Sequence, residues 1–495
     1  MYTKHIPQES RKKILLLTDD IFATSGVAHV GREIITNTAH YYNWVQLAGA
    51  VIHPDVGKIK DASEEINKKA NISDSYVKLY PVNGYGNPDI LRQVMDIEKP
   101  DAILLITDPR YFMWVFQMEN EIRKKIPIMY LNIWDDLPTP QYNREFYESC
   151  DLLMGISKQT KFINQNVLEG GDIPFIDIDK ANLTDKDKFS RTPILLKYVP
   201  HGLDHKTFFP IKESTKEFED FRSQVFRGKD YDFVLMFNSR NMRRKSIPDT
   251  ILAWKLFIDK LPSDKAEKCF FILHTDPVDE NGTDLFAVID YFFGENYSNI
   301  AISSQKLPPE KINMLYNCAD GVILLSSNEG WGLSLTEALL TGTPIIANST
   351  GGMQDQMRFR NETGEWFTPS KEVPSNHRKT YKLHGEWAFP VFPSNLSLVG
   401  SVPTPYIFDD RCKPEDAAEQ IMNLYSIGKE ERQKRGEIGR EWVCGEEAGF
   451  TSEHMALRFT EGVDNLFRIW EPRKRYEFLK DTDFKPRILN HKILY

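Results

Sequence analysis

The chain has 495 residues, of which 41% are apolar and 27% charged, and its formal net charge is -9 at pH 7. This length and composition are typical of a soluble globular protein with two or three domains. The acidic balance excludes a general electrostatic attraction to nucleic acid or to anionic membranes, so a polyanionic partner would need a local basic patch.

The cellular location is predicted from the cysteines and from the amino-terminal residues. The five cysteines are scattered without C-x-x-C or metal-ligand spacing, which is typical of reduced thiols in a cytoplasm. The apolar run ILLL that follows the polar start is too short for a signal peptide or a membrane span. We therefore predict a cytoplasmic protein without a stable membrane span, and a peripheral position at the membrane stays open.

Short apolar runs alternate with helical patterns in the first part of the chain. Strands buried on both faces are predicted at residues 13–18, 44–52, 102–107, 126–133, 151–157 and 194–200. Stretches of helical period, such as VGREIITNTAHYY and ILRQVMDIEK, lie between several of these runs. Strands and helices in alternation predict a parallel, doubly wound α/β sheet.

The same alternation restarts in the second part of the chain. Further strands are predicted at residues 232–240, 268–275, 299–304, 320–327 and 343–349. A charged, Pro-containing stretch at residues 201–229 separates the two sets and marks a domain boundary. The predicted fold class is thus α/β, with two Rossmann-like domains, residues 1–212 and 213–455, that face each other across a cleft.

Two segments depart from this pattern. Residues 368–411 are rich in Pro and aromatic side chains and too apolar for a disordered linker, which predicts an ordered insertion on the second domain. Residues 456–495 combine a helical stretch with a basic tail, and we predict that they pack back on the first domain. Binding of the tail to a membrane or to phosphates is the alternative.

The stretch NEGWGLSLTEALLTGTPIIAN, residues 328–348, predicts an anion site. It is a loop after one strand, a helix that begins near Leu333 or Ser334, and the next strand, so the loop lies at the carboxyl edge of the sheet. Ligands of open α/β sheets bind at that edge. The glycines at 330 and 332 let the backbone approach a ligand, and the helix start directs free N–H groups toward an anion.

Two carboxylates accompany this anion site. Glu329 lies in the loop and Glu337 lies about one turn into the helix. A carboxylate beside an anion is unfavourable unless it faces a neutral group, and ionised carboxylates are strong acceptors for vicinal hydroxyls. An anion pocket flanked by two carboxylates that suit hydroxyl-rich groups predicts a nucleotide sugar as the ligand.

Four motifs make the chain similar to a known family. SSNEGWGLSLTEALLTGTPIIANSTGG resembles the E-x7-E segment of the retaining glycosyltransferases of family 4, whose members have the GT-B fold. SRNMRRK is similar to the family's donor-diphosphate motif, and TSGVAHVGREI to its Gly-rich loop followed by His-Val. HGLDHKTFFP is similar to the segment that opens its interdomain connection. The motifs occur in family order over about residues 13–460.

The resemblance implies a role for each matching residue. Glu337 would hold the ribose and Glu329 the hydroxyls of the transferred sugar. The diphosphate would be held by Arg240, Lys245 and the backbone N–H groups of Gly330, Trp331, Gly332 and Leu333. Gly26 and His29 would contribute from the first, acceptor-side domain. The donor would be a nucleoside-diphosphate sugar, with no further cofactor and no metal, because cations and N–H dipoles stabilise the charge on the departing diphosphate.

One departure from the family pattern concerns the acceptor side. Where the family commonly has His-Asp, this chain has Trp134 followed by Asp135 and Asp136. Asp135 is the candidate acceptor-side catalytic group, and a turn aspartate before LPTP is the alternative. The family implies transfer with retention. The acceptor hydroxyl stays open between a glycan, a lipid-linked saccharide, a protein and a modified nucleobase, of which the net acidity disfavours the last. Nucleic acid therefore stays open as an acceptor.

Other functions compete with this interpretation. A glycoside hydrolase could use Glu329 and Glu337 as its acid and nucleophile. A metal-dependent transferase of another fold could use Asp177 and Asp179 in FIDIDK, although D-x-D also occurs elsewhere in the chain. A sugar-nucleotide-binding protein without catalytic activity is the third alternative, because a fold alone does not establish activity.

Overall fold

A computed structural model of the protein describes residues 4–184, 192–212, 215–294 and 297–473. In the described part of the first half, the strands are β1 (Lys13–Asp19), β2 (Asn43–Ala50), β3 (Lys60–Asp61), β4 (Val77–Asn83), β5 (Ala102–Ile106), β6 (Ile128–Asn132), β7 (Leu152–Gly155), β8 (Phe175–Asp177) and β9 (Ile194–Tyr198). They form one sheet in the order β3-β4-β2-β1-β5-β6-β7-β9-β8, in which β3 pairs antiparallel and the other neighbours pair parallel.

A second sheet follows in the second half. Its strands are β10 (Phe233–Asn238), β11 (Cys269–His274), β12 (Ile300–Ser303), β13 (Gly321–Leu324), β14 (Ile345–Asn348) and β15 (Ala388–Val391), and a hairpin is formed by β16 (Asn395–Ser401) and β17 (Thr404–Arg411). The second sheet is parallel throughout, in the order β12-β11-β10-β13-β14-β15. The predicted class, two Rossmann-like α/β domains, is confirmed.

Helices connect these strands. In the first half they are α1 (Gly26–Thr38), α2 (Ser63–Ala70), α3 (Pro88–Glu98), α4 (Met113–Gln117), α5 (Glu119–Ile122), α6 (Arg144–Glu148) and α7 (Lys158–Leu168). The second half contains α8 (Lys216–Phe226), α9 (Ile247–Ile258), α10 (Ser263–Ala266), α11 (Leu285–Phe293), α12 (Pro309–Asn317), α13 (Leu333–Leu340), α14 (Met353–Met357), α15 (Pro414–Ser426), α16 (Lys429–Cys444) and α17 (Ser452–Ile469).

The core follows from the strand sequences. In β1 the side chains of Leu15 and Leu17 enter one apolar cluster, and those of Ile14 and Leu16 enter another on the opposite face of the sheet. Side chains alternate across a strand, so a run of apolar residues buries both faces against helices. The helices begin at capping residues, for example Ser25, whose hydroxyl accepts a hydrogen bond from the Ala28 N–H at 3.1 Å.

The insertion at residues 368–411 has regular structure. Its strand β15 extends the second sheet beside β14, and its hairpin β16–β17 reaches the first domain. The Phe408 N–H donates to the Leu137 carbonyl at 2.6 Å, and the Tyr142 hydroxyl donates to the Tyr406 carbonyl at 3.0 Å. The hairpin therefore spans the cleft between the two domains.

Helix α17 packs on the first sheet. Its Phe459 ring lies 6.2 Å from the Tyr42 ring and 6.0 Å from the Trp44 ring, centroid to centroid. Its Asp464 accepts hydrogen bonds from the hydroxyls of Tyr41 and Tyr42 at 2.8 and 3.1 Å. The predicted basic tail lies mostly at residues 474–495, outside the described residues.

No helix in the described ranges combines the length and apolarity that a membrane-spanning segment needs.

Removal of the Phe459 ring is expected to destabilise the protein. Phe459→Ala should lower the free energy of unfolding by about 3 to 5 kcal/mol, because the ring is fully buried between α17 and the first sheet. Chemical denaturation followed by tryptophan fluorescence measures this loss. The control is Phe467→Ala, a half-buried position of the same helix, which should lose less than half as much. Equal losses would contradict the packing described for Phe459.

Candidate active site

Two cations, the buried Lys245 and the more exposed Arg244, lie at the carboxyl end of β10. The chain leaves β10 at Asn238 and forms a 3-10 turn at Arg243–Lys245 before α9 begins. Lys245 Nζ lies 2.6 Å from Glu329 Oε2, and Arg244 Nη1 lies 2.8 Å from the same oxygen. Arg244 also donates to the Asn328 carbonyl at 2.6 Å. One carboxylate thus holds two cations at the sheet edge.

The cation pair dominates the electrostatics of Glu329. Burial alone would raise its pKa, but the Lys245 ammonium and the Arg244 guanidinium lower the pKa to about 2. Burial lowers the pKa of Lys245, and the Glu329 carboxylate opposes that shift. Glu329 is therefore ionised at neutral pH, and an incoming anion would share its two cations.

The loop after β13 brings backbone N–H groups to the same place. Gly332 precedes α13 with φ +87°, a left-handed conformation that favours glycine. Gly351 has φ +51°, and a Cβ there would lie 2.0 Å from the Glu329 carbonyl oxygen. Among the described residues, the N–H groups of Leu333 and Ser334 have no hydrogen-bond acceptor. The helix start therefore offers free donors next to Glu329, as expected for an anion site.

Glu337 belongs to a polar group one turn further along α13. Its Oε2 accepts hydrogen bonds from the Tyr316 hydroxyl at 2.5 Å and from the Asn238 amide at 3.3 Å. Burial raises its pKa, and the two hydrogen bonds oppose that rise. Asn238 is thus positioned by Tyr316, which also accepts from its amide at 2.9 Å.

A cavity of 1120 Å³ lies between the domains beside this group. Glu337 and Asn238 line it from the second domain, and His29 lines it from the first. Gly26, at the start of α1, lies opposite α13, because a Cβ at Gly26 would be 3.6 Å from Leu333 Cδ1. Burial lowers the pKa of His29 well below its usual range, so its ring is neutral. His29 and Glu337 therefore line one cleft, and Gly26 lies beside the start of α13.

The first domain places two aspartates opposite the cation pair. Asp135 and Asp136 follow β6, and a Cβ at Gly330 would lie 2.8 Å from the carbonyl oxygen of the preceding Ile133. Burial raises the pKa of Asp135 to about 6, and the charge of Arg244 opposes that rise. Asp136 accepts a hydrogen bond from the Asn328 amide. The two domains are thus in direct contact beside Glu329.

The aromatic residues of the predicted site are structural in this arrangement. The Trp331 side chain is buried, donates to Thr336 Oγ1 at 2.9 Å and packs edge-on against Phe450. Trp134 is also buried, and its ring N–H donates to the Asp136 carbonyl at 3.0 Å. Trp331 can therefore contribute only its backbone to a ligand, which is the contribution that the sequence predicted for it.

Arg240 and Arg244 differ in their surroundings. Both side chains are exposed, but Arg240, predicted beside Lys245, makes no hydrogen bond or ion pair with any described residue. Arg244, which the sequence analysis did not select, is the arginine that contacts Glu329. The run RNMRRK contains three arginines. The 3-10 turn determines which of them contacts Glu329, and the spacing of the residues does not predict that turn.

The residues of the alternative metal site are engaged with a lysine. Lys161 Nζ lies 2.6 Å from Asp177 Oδ1 and 2.6 Å from Asp179 Oδ2. Within the described ranges, no group of three or more His, Cys, Asp or Glu side chains has a metal-binding arrangement.

Comparison with solved structures identifies the fold. A glycosyltransferase from Rickettsia africae ESF-5 superposes with a TM-score of 0.59 at 14% identity, covering 92% of this chain and 99% of that chain. Anabaena Alr3699/HepE, in complex with UDP and glucose, superposes with a TM-score of 0.59 at 14% identity, covering 92% and 100%. The chain has the GT-B fold, two Rossmann-like domains that face a cleft.

Comparison with known sequences points to glycosyltransferases. Residues 296–378, which contain Glu329 and Glu337, match the family described as Glycosyl transferases group 1. A D-inositol 3-phosphate glycosyltransferase of Corynebacterium jeikeium is 24% identical over 194 residues, or 39% of this chain and 45% of that protein. A protein of the same name from Corynebacterium urealyticum is 47% identical over 47 residues, or 10% and 11%. The chain thus matches less than half the length of these curated relatives.

Proposed function

We propose that this protein transfers a sugar from a nucleoside-diphosphate sugar to an acceptor hydroxyl, with retention of the anomeric configuration. The observation that carries the proposal is the joint placement of Lys245, Arg244 and the start of α13 around Glu329. A diphosphate needs such an electropositive site, because its charge grows as the glycosidic bond breaks. A glycoside hydrolase has no need of such a pair of cations.

Each group has a role in this transfer. Lys245, Arg244 and the free N–H groups of α13 stabilise the departing diphosphate. For Arg240 we keep the diphosphate contact that the family motif implies. Glu337 accepts hydrogen bonds from the ribose hydroxyls, and Glu329 accepts hydrogen bonds from the hydroxyls of the transferred sugar. The contacts to the diphosphate strengthen as charge develops and therefore lower the barrier, whereas the ribose contact contributes to the affinity for the donor.

The acceptor approaches from the first domain. Asp135 lies opposite Glu329 and is mostly ionised at neutral pH, since its pKa is about 6. It is the group that accepts the proton of the acceptor hydroxyl as the new bond forms on the face that the diphosphate leaves. The cations present in the site neutralise the diphosphate, so the proposed reaction needs no metal.

A panel of UDP-, GDP- and ADP-sugars tests the proposal. We expect the matching donor, at a hundredfold excess over its dissociation constant, to add about 2.7 kcal/mol to the unfolding free energy. NMR of the product should show the anomeric configuration of the donor, and EDTA should leave the rate unchanged. Nucleotide sugars that bind no better than free sugars would overturn the proposal.

Alanine substitution separates the two arginines of the donor motif. Arg244→Ala is expected to weaken nucleoside-diphosphate binding at least tenfold, because it removes a charge-assisted contact beside the buried Lys245 and Glu329. Calorimetric titration of UDP measures the change, with Arg240→Ala as the matched variant. A larger loss for Arg240→Ala than for Arg244→Ala would return the principal diphosphate contact to Arg240.

A further inference from the structure

Two buried glutamine side chains connect the first domain to the second. Gln159, in the first turn of α7, donates from Nε2 to the Asp135 carbonyl at 2.6 Å. Its Oε1 accepts a hydrogen bond from Nε2 of Gln354 at 3.0 Å. Gln354 belongs to α14 of the second domain, and each glutamine is only 2% exposed. Amides from opposite domains thus meet beside the backbone of Asp135.

Backbone groups at both ends fix the orientation of these amides. The Asp135 carbonyl can only accept, so Gln159 must direct its NH2 group to that carbonyl and its oxygen to Gln354. The Asn376 N–H can only donate, and it donates to Gln354 Oε1 at 2.6 Å. The NH2 group of Gln354 is therefore directed to Gln159. We call this chain of hydrogen bonds the amide relay, which runs through Asn376, Gln354, Gln159 and Asp135.

The second-domain part of the amide relay also reaches the loop of Glu329. Gln354 Nε2 donates to the Gly351 carbonyl at 3.2 Å. The N–H of the next residue, Gly352, donates to the Glu329 carbonyl at 3.0 Å. The backbone of Asp135 and the backbone of Glu329 are therefore linked through buried contacts.

The neighbours of Gln159 in α7 reinforce this connection. The Lys158 N–H donates to Asp355 Oδ2 at 2.9 Å, so a carboxylate of the second domain accepts one of the free N–H groups at the start of α7. The Thr160 hydroxyl donates to the Trp134 carbonyl at 2.7 Å. The first turn of α7 thus holds the chain after β6 and is itself held by α14.

We propose, on the basis of the glycosyl transfer proposed above, that Gln159 and Gln354 are positioning residues that hold Asp135 at the distance from Glu329 that transfer requires. Neither glutamine lines the interdomain cavity, so both act through the backbone and not on the nucleotide. Without the amide relay the spacing of the two domains is less fixed, and Asp135 is displaced from the acceptor hydroxyl. Donor binding depends on the second domain and is retained.

A split between turnover and binding tests this inference with the full-length protein. Gln159→Leu removes both hydrogen bonds of its amide at similar side-chain size. We expect turnover to fall by about tenfold to a hundredfold, because a displacement of about 1 Å near the reacting groups costs about this much. The dissociation constant of UDP, measured by calorimetry, should change less than twofold. Turnover is the release of nucleoside diphosphate from the donor found in the nucleotide-sugar panel, with water as the acceptor.

A matched control and a double variant distinguish the amide relay from a general loss of packing. Gln165→Leu, a half-buried glutamine of the same helix, should leave turnover and UDP binding unchanged. Gln354→Leu should reduce turnover at least as much as Gln159→Leu. The double variant should lose less than a further twofold relative to Gln354→Leu, because both changes break one chain of hydrogen bonds.

Three results would overturn the inference. They are turnover of Gln159→Leu within twofold of the native value, losses that multiply in full in the double variant, and a loss of UDP affinity large enough to account for the fall in turnover. Failure of the glycosyl transfer proposal would show separately, as a native protein that releases no nucleoside diphosphate from any donor of the panel.

Discussion

Lys245→Ala is expected to reduce kcat/KM for sugar transfer by about a hundredfold to a thousandfold. Lys245 is the buried cation closest to Glu329, and removal of one preorganised donor from a site where charge develops costs about this much. The loss should appear mainly in kcat, because the charge on the diphosphate is largest in the transition state. Steady-state kinetics with the donor found in the nucleotide-sugar panel measure both parameters.

Two further variants separate this effect from misfolding. Lys260→Ala removes an exposed lysine just after α9 and should change kcat/KM by less than twofold. Lys245→Ala combined with Glu329→Gln removes both members of the ion pair, so it should recover part of any lost thermal stability without recovering activity. A fully active Lys245→Ala protein would contradict the role proposed for the cation pair.

The regular part of the fold was accessible to sequence reasoning because its strands are buried on both faces. Continuous apolar runs such as those of β1 and β10 leave little ambiguity about a parallel sheet. Strands β4 and β15 were not predicted, because they contain Pro81 and Pro390 and proline argues against a strand. The hairpin β16–β17 was predicted only as ordered structure within an insertion.

The candidate site shows the same division. Glu329 and Glu337 were identifiable, because a glycine-flanked loop and a helix start follow a strand within a few residues. Arg244 and Tyr316 were not, because their contacts depend on the 3-10 turn and on α12. Local spacing predicts what lies at a sheet edge, whereas the side chains that converge on it from distant segments need the tertiary structure.

The hairpin connects the two halves of the proposed chemistry. Asn328 lies directly before Glu329 and donates both to Asp136 of the first domain and to the hairpin carbonyl of Phe408. The groups proposed for the donor side and for the acceptor side are therefore joined through one amide. The amide adds to the other hydrogen bonds between the domains, such as the one from the Phe408 N–H to the Leu137 carbonyl.

Glu337→Ala is expected to weaken UDP binding by about tenfold to a hundredfold. The Glu337 carboxylate lines the interdomain cavity and is held by Tyr316 and Asn238, so its loss removes a charge-assisted acceptor for ribose hydroxyls, worth about 1.5 to 3 kcal/mol. Calorimetric titration with UDP measures the loss. Glu419→Ala, at an exposed position of α15, is the control and should bind UDP normally.

The ribose assignment has a sharper test in the nucleotide itself. UDP without its ribose hydroxyls should bind the native protein about as weakly as intact UDP binds Glu337→Ala, because both lack the same hydrogen bonds. Removal of the hydroxyls should then cost little further affinity in Glu337→Ala, since the two changes act on one interaction. If the two losses add in full, Glu337 acts elsewhere in the cleft, and the ribose is held by other groups.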